Sequence, residues 1–365
     1  MHPRTLFLCN LLVTSGLSLT AATMFNQTNL TSDLNGLAAN TDVNLKNPWG
    51  MSFSATSPFW ISDQVTNVST LYNGAGVPQA LVVSTPPAPT GQVFNTSSSF
   101  LLPNGNKALF IFDSLSGQIA GWNAGNSAVS KFAATDGSVF TGLALGNNGT
   151  ADLLYAANFS KGRIDVFNGT FAPTTLSPTQ FTDPNLPAGY SPYNIQAIAG
   201  KLYVQYDQVG ANGRPTTTPN TGIVDIFNMD GTFNQRLVTN THLNSPWGIT
   251  QAPASFGSFG GDILVGNFGD GTISAFDSMG VFQGTLSDLM GHPIVNSGLW
   301  ALNFRAQGSG FDSNALFFSA GINNEADGLF GELTLPTPEP STIVLIGLGL
   351  GSIGLLRRRT PSNRG

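Results

Sequence analysis

Charge and thiols are what this sequence has least of. Of its 365 residues, one is a cysteine and 9% are charged. That thiol, Cys9, lies in an N-terminal apolar stretch and follows Leu8 instead of the small residue a lipoprotein signal needs. With no pair of cysteines there is no intrachain disulfide, so core burial must hold the chain together. The three histidines, His2, His242 and His292, form no metal-spaced pair. Glutamate upstream of residue 336 is limited to Glu325 and Glu332, which leaves little for general acid work. Gly308-Ser309-Gly310 has the wrong spacing for a nucleophile elbow. The Gly-rich stretch 257–261 leads into no helix, so no helix N-terminus is offered to a phosphate. Nothing in this inventory obliges an enzyme.

Both ends of the chain read as addresses. His2 and Arg4, an apolar centre over residues 6–19 and the small-residue context Thr20-Ala21-Ala22 predict a secretory signal peptide over 1–22. The other end runs Thr337-Pro338-Glu339-Pro340-Ser341-Thr342, then 14 apolar or small residues (343–356), then Arg357-Arg358-Arg359. A lasting membrane span needs about 20 residues, so this apolar helix suits a temporary anchor. The arginines favour the cytoplasmic side and leave everything upstream outside. Order and residues resemble the PEP-CTERM sorting signal of Gram-negative, exopolysaccharide-producing bacteria, a tail also known as the ice-binding protein C-terminal domain. No Thr-x-Thr array here matches a flat ice face. The resemblance implies at least transient anchoring in the inner membrane, processing at Pro338-Glu339-Pro340 by an exosortase-type enzyme, and delivery to the outer surface or extracellular matrix.

Three segments follow: 1–22, a central domain 23–335, and the sorting segment 336–365. Removing Arg4, four C-terminal arginines and Glu339 turns 14 basic and 20 acidic residues into 9 and 19, a balance of about −10. Such a surface repels phosphate backbones, so nucleic acid is not an expected partner.

The central domain is rich in Gly, Asn, Thr, Ser, Phe and Val, which favours strands joined by tight turns. No helical periodicity develops before residue 340, whereas one unit recurs six times. A strand closing near Asp or Asn turns tightly into a second strand closing near an aromatic: 59–63 with 68–73, 109–113 with 117–123, and 154–158 with 162–168. The series continues with 202–207 and 222–228, which flank an inserted Gly/Asn/Pro/Thr loop, then 263–267 with 271–277, and a degenerate 316–320 with 328–333. A tight lead-in precedes each copy, as in Asn47-Pro48-Trp49-Gly50, Ser245-Pro246-Trp247-Gly248 and Gly298-Leu299-Trp300-Ala301. An inner strand, a hairpin and a trailing strand make one propeller blade. Residues 281–289, the trailing strand of the fifth copy, are echoed at 25–34, while the sixth copy has no trailing strand of its own. The N-terminal stretch is therefore expected to pair with 328–335 and close the ring, protecting sheet edges. The predicted fold is all-β, a six-bladed β-propeller closed by an N-terminal strand, plus a C-terminal apolar helix.

The aromatics Tyr72, Trp122, Phe167, Phe227, Phe276 and Phe330 are expected to pack between blades. Trp49, Trp247 and Trp300, at the start of inner strands, are candidates for stacking on a sugar, with Asn47 and Asn244 as hydrogen-bonding partners. Blade geometry sends Asp63, Asp113, Asn158, Asp207 and Asn267 toward the same mouth of the channel. Oxygen ligands in a ring suit calcium, which makes Asp63, Asn158, Asp207 and Asn267 candidate metal ligands, although Asp and Asn are also the usual turn formers at strand ends. Asn323-Asn324-Glu325-Ala326-Asp327-Gly328 begins like a calcium loop, but its twelfth position is Thr334.

The Asn47–Gly50 and Ser245–Gly248 lead-ins, together with Gly266-Asn267-Phe268-Gly269-Asp270-Gly271-Thr272-Ile273, resemble an uncharacterised bacterial β-propeller family that carries the PEP-CTERM tail and is distantly similar to NHL-repeat and gluconolactonase-type propellers. Gluconolactonase-like members imply a divalent cation held in the channel by Glu, Asn and Asp; the first-strand starts of this chain offer Asn and aromatic residues. Two readings stand: a non-catalytic module binding an extracellular polysaccharide or a surface protein, and a divalent-metal-dependent hydrolase, lactonase or lyase at the same mouth.

Overall fold

Alternating apolar residues separated by Gly, Asn and Pro turns give short antiparallel ladders, and six of these sheets stand around one axis. A computed structural model describes residues 23–305 and 311–336. The expected signal peptide, the Pro338-Glu339-Pro340 motif, the apolar helix and Arg357, Arg358 and Arg359 lie outside the described residues.

The first blade consists of Pro48–Ser52, Phe59–Asp63, Val68–Tyr72 and Val83–Ser84, the innermost strand coming first. Inner strands of the other five are Pro89–Phe94, Phe140–Asn147, Tyr190–Ile198, Pro246–Gln251 and Leu299–Asn303. Those of blades one, five and six begin at the lead-ins Asn47–Gly50, Ser245–Gly248 and Gly298–Ala301. Ile322–Glu325 forms a single turn of largely left-handed backbone, and among the described residues no helix is long and apolar enough to cross a membrane.

Ring closure is by the N-terminal segment. Asn26–Ser32 pairs antiparallel with Leu329–Thr334, in register from Asn26 opposite Thr334 to Ser32 opposite Leu329. Lys46 clamps this seam, its ammonium 2.5 Å from Asp33 and 3.1 Å from Asp327. At the lower end, Thr23 Oγ1 donates to Ser258 Oγ at 2.7 Å. Thr23 and Leu335 both crowd the Cα of Gly257, so the two ends of the described domain meet at one turn of blade five.

Blade three departs from the expected four strands, having only Phe140–Asn147, Asp152–Asn158 and Arg163–Asn168. The stretch that would supply the outer strand carries Pro173, Pro178, Pro184 and Pro187. Proline has no amide hydrogen to give a ladder, so this edge is covered by irregular chain instead.

Between blades the wedge is filled by aromatic rings. Trp60 of blade one stacks on Phe110 of blade two at 4.1 Å and tilts against Trp122 at 4.6 Å. Phe59 meets Phe317 of blade six at 4.5 Å. Tyr72, Trp122, Phe167, Phe227, Phe276 and Phe330 are all buried. Phe330 differs in position, facing Ser319 near the start of its strand, while Leu333 opposes Leu316 at the far end.

At the axis the inner strands are crowded, and each carries a register shift near its start, for example between Pro48 and Met51 or Pro246 and Gly248. A β-bulge turns the strand and re-aims the side chain it carries. A Cβ at Gly248 would lie 2.2 Å from the Trp300 carbonyl oxygen of the next blade. Because that obstacle is backbone, Gly248→Ala is expected to cost about 1–3 kcal/mol through overpacking, read as a lower midpoint in chemical denaturation with unchanged slope.

Candidate functional site

The first residue inside the register shift of each inner strand is Trp49, Thr90, Thr141, Tyr193, Trp247 and Trp300 in blade order. Blades four, five, six and one thus bring aromatics to the axis, and blades two and three bring threonines. The aromatics meet there. Trp49 stacks on Trp300 with ring centres 3.6 Å apart, and Trp247 sets its edge against both at 5.9 and 5.5 Å. Tyr193 closes the group, 6.1 Å from Trp300. Indole donors anchor the cluster: Trp247 Nε1 donates to the Thr141 carbonyl at 2.8 Å and Trp300 Nε1 to Asn47 Oδ1 at 2.8 Å. The result is an aromatic plug across the channel.

Above the plug lies a cavity of about 520 Å³. Trp49, Trp300 and Tyr193 contribute to its floor, and Phe268 stacks on Trp300 at 4.2 Å. The smaller Thr141 and its neighbour Val139 line the threonine side, so the uneven ring of lead-in residues shapes the space.

One wall is polar and is organised by Asn47. Its side-chain amide donates to Gln64 Oε1 and to Glu325 Oε2, each at 3.0 Å, while its oxygen receives the Trp300 indole. Glu325 is delivered by a run of left-handed backbone: Asn323, Asn324 and Glu325 have φ of 54°, 55° and 68°. Each such non-glycine residue costs roughly 1–2 kcal/mol, a cost that clusters where function requires a fixed side chain. Opposite, the inserted loop of blade four brings Arg214 to the rim. Burial pushes the Tyr193 phenol well above its ordinary range; the Glu325 and Asp207 charges add to that rise and Arg214 opposes it.

Of the residues singled out from sequence, Trp49 and Trp300 border the cavity but are themselves buried, at 5% and 0% exposed, with Phe268 covering Trp300. Trp247 is 4% exposed and belongs to the plug, flanking a narrow space deeper in the channel. Asn47, 1% exposed, holds other side chains in place rather than facing the cavity. Asn244 is buried and donates to Asp270 Oδ2 at 3.3 Å.

Asp63, Asn158, Asp207 and Asn267 were expected around the mouth, and the structure seals them into the frame. All four are buried, at 0–1% exposed. Asp63 Oδ2 accepts from the Thr70 hydroxyl at 2.7 Å, Asn158 donates to Asp165 at 2.6 Å, and Asp207 Oδ2 accepts from Ser245 at 2.5 Å. Asn267 accepts the Asn244 amide at 3.0 Å. Asp63 keeps one oxygen, Oδ1, without a partner, while the other three direct their polar atoms into the frame; among the described residues no three His, Cys, Asp or Glu side chains gather.

Sequence reasoning missed Tyr193, Gln64, Phe268, Glu325 and Arg214. A signal for two of them was present: Gln64 and Phe268 directly follow the Asp or Asn that ends a second strand, as Phe159 does in blade three. All three line the cavity.

Residues 336–359 match the PEP-CTERM protein-sorting motif. An uncharacterized protein of Acanthamoeba polyphaga mimivirus is 31% identical over 334 residues, which is 86% of this chain and 81% of the viral one. Among solved structures, virginiamycin B lyase from Staphylococcus aureus aligns with a TM-score of 0.51 at 16% identity, covering 86% of this chain and all (100%) of the lyase. Regucalcin, a calcium-binding protein from Agrobacterium tumefaciens, gives 0.52 at 13% identity, over 86% of this chain and 95% of its own. At such identities these two neighbours, propellers of the NHL and gluconolactonase-like kind, share the fold.

Proposed function

The chain belongs to the family of that mimivirus protein and ends in a sorting motif that implies export to the cell envelope, and from this premise we propose that it is a non-catalytic surface propeller whose mouth binds carbohydrate. The observation carrying the reading is the partly exposed Phe268 ring, held flat by stacking on buried Trp300 and, behind it, Trp49, at a cavity with one polar wall. Flat aromatic surface receives the C–H face of a sugar ring, and a few convergent polar groups fix its orientation. Gln64 and Glu325, held in place by Asn47, supply those groups. Trp247 and Asn244 support the floor from within. An exosortase-type system is the processing partner that the tail motif implies.

The test is a glycan array on wild type and Phe268→Ala. Phe268 is only partly buried at the rim, so its truncation spares the plug. The variant is expected to keep the wild-type melting temperature and to bind array hits at least about tenfold more weakly, which corresponds to about 1.4 kcal/mol. An array without hits, or hits indifferent to the substitution, removes carbohydrate binding at this mouth.

A further inference from the structure

The central domain has nine basic side chains, and eight have a partner for their charge. Carboxylates hold Lys46, Arg163 and Arg236. Carbonyl or side-chain amide oxygens hold Lys107, Lys161, Lys201 and Arg305, and Lys131 lies over the Phe171 ring. Arg214 alone, among the described residues, has neither a hydrogen-bond acceptor nor a ring for its guanidinium. It is exposed at the rim of the aromatic cavity.

The segment that puts it there is an addition to the blade. In blade one the second and third strands are joined directly from Asp63 to Val68; in blade four the link runs from Gln208 to Ile223. This longer link folds on itself. Gly210 N donates to the Arg214 carbonyl at 2.7 Å, Gly213 N to the Gly210 carbonyl at 2.9 Å, and Thr216 N to the Gln208 carbonyl at 3.0 Å. Blade four needs none of this to complete its sheet. The loop's turn therefore holds a guanidinium, a group whose planar fork matches a carboxylate, over a floor suited to a flat ring. The Glu325 carboxylate across the cavity accepts hydrogen bonds and rejects a second anion beside it.

We propose that the ligand of this mouth is an acidic sugar, a hexuronate unit whose carboxylate pairs with Arg214 while its ring lies on Phe268, itself backed by buried Trp300, and its hydroxyls donate to Glu325. The inference rests on the carbohydrate reading above. The shared chemistry, a carboxylate on a flat six-membered ring, is also met in free aromatic acids, so the test separates the two sources.

Calorimetric titration of the full chain in mild detergent would use trigalacturonate, its methyl ester, maltotriose and indole-3-acetate, against wild type, Arg214→Gln and Arg214→Lys. Because the Arg214 side chain has no partner within the fold, both variants are expected to melt as wild type does. Wild type should bind trigalacturonate about tenfold to hundredfold more tightly than the ester or maltotriose, the size expected of a charge-assisted hydrogen bond. Arg214→Gln should erase that preference and Arg214→Lys should keep part of it. Equal affinity for trigalacturonate and its ester, or an unchanged Arg214→Gln, overturns the acidic-sugar inference and leaves carbohydrate binding standing. Binding of indole-3-acetate alone, lost in Arg214→Gln, keeps the carboxylate contact but overturns both the sugar identity and the carbohydrate reading. No binding of any probe overturns both proposals.

Discussion

Phe25→Ala is expected to destabilise the domain by about 3–5 kcal/mol, and deletion of residues 25–34 to leave no folded monomer. Phe25 is buried at 1% exposure, stacked on Phe256 at 4.7 Å and facing Phe259 at 6.2 Å. No side chain nearby can fill the space its ring would vacate without moving the blade-five turn. A domain of this kind is stable by about 5–15 kcal/mol, so one such cavity consumes a large share of the total. The deletion removes more: the whole ladder opposite Leu329–Thr334, buried Leu30, and the Asp33 carboxylate that pairs with Lys46. It also bares an edge carrying Leu329 and Leu333, which invites pairing with another chain. Chemical denaturation measures the first effect, and size-exclusion chromatography should show aggregates for the second. A deletion variant that elutes as a monomer and melts like wild type would refute ring closure by this strand.

Acidification from pH 8 to pH 5 should raise the domain's stability by several kcal/mol. Burial pushes the Asp113 and Asp207 carboxyls up to about 7 and Asp63 well above its usual range. Hydroxyls of Thr90 and Ser245 donate to the first two and offset only part of that penalty. In the unfolded chain these groups release their protons near pH 4. Between about pH 4 and 7 the folded state therefore binds more protons than the unfolded one. Its advantage is complete at the acidic end and is lost as pH rises through the folded value, at about 1.4 kcal/mol per pH unit for each fully displaced group. Asp113→Asn keeps an oxygen for Thr90 and cannot ionise, so it should flatten the profile and stabilise the domain most above pH 7. Melting curves recorded from pH 5 to 8 decide the matter: a flat or rising stability would mean that these carboxyls ionise freely in the fold.

The architecture could be read from the chain because repetition reports on blades directly. The inner strands of blades one, five and six start where a tight lead-in stands, and the echo between 281–289 and 25–34 identified a strand displaced to the opposite end of the sequence. Blade three escaped that reading because its outer strand is ruled out by scattered prolines rather than by any change in the repeat. The site was legible only in part. Trp49 and Trp300 were visible as aromatics beside small residues, but whether such a ring faces a cavity or a plug depends on the depth of the bulge, and Trp247 lies deeper. Asp63, Asn158, Asp207 and Asn267 sit at strand ends where period-two alternation no longer tells inside from outside. Their hydrogen bonds, to Thr70, Asp165, Ser245 and Asn244, hold them inside. Arg214 and Glu325 reach the mouth through an irregular loop and a left-handed turn, neither of which leaves a periodic trace.

Strand direction adds a consequence for presentation. Gly328 stands beside the Asp327 and Glu325 turn at the cavity, and Leu329–Thr334 leads from there to the underside, about 20 Å away. Thr23 starts, and Leu335 ends, at that same underside turn. Both ends of the described domain therefore stand on the face of the wheel opposite the cavity. An attachment made at either of these ends lies on the far side of the wheel from the bowl and leaves its opening uncovered.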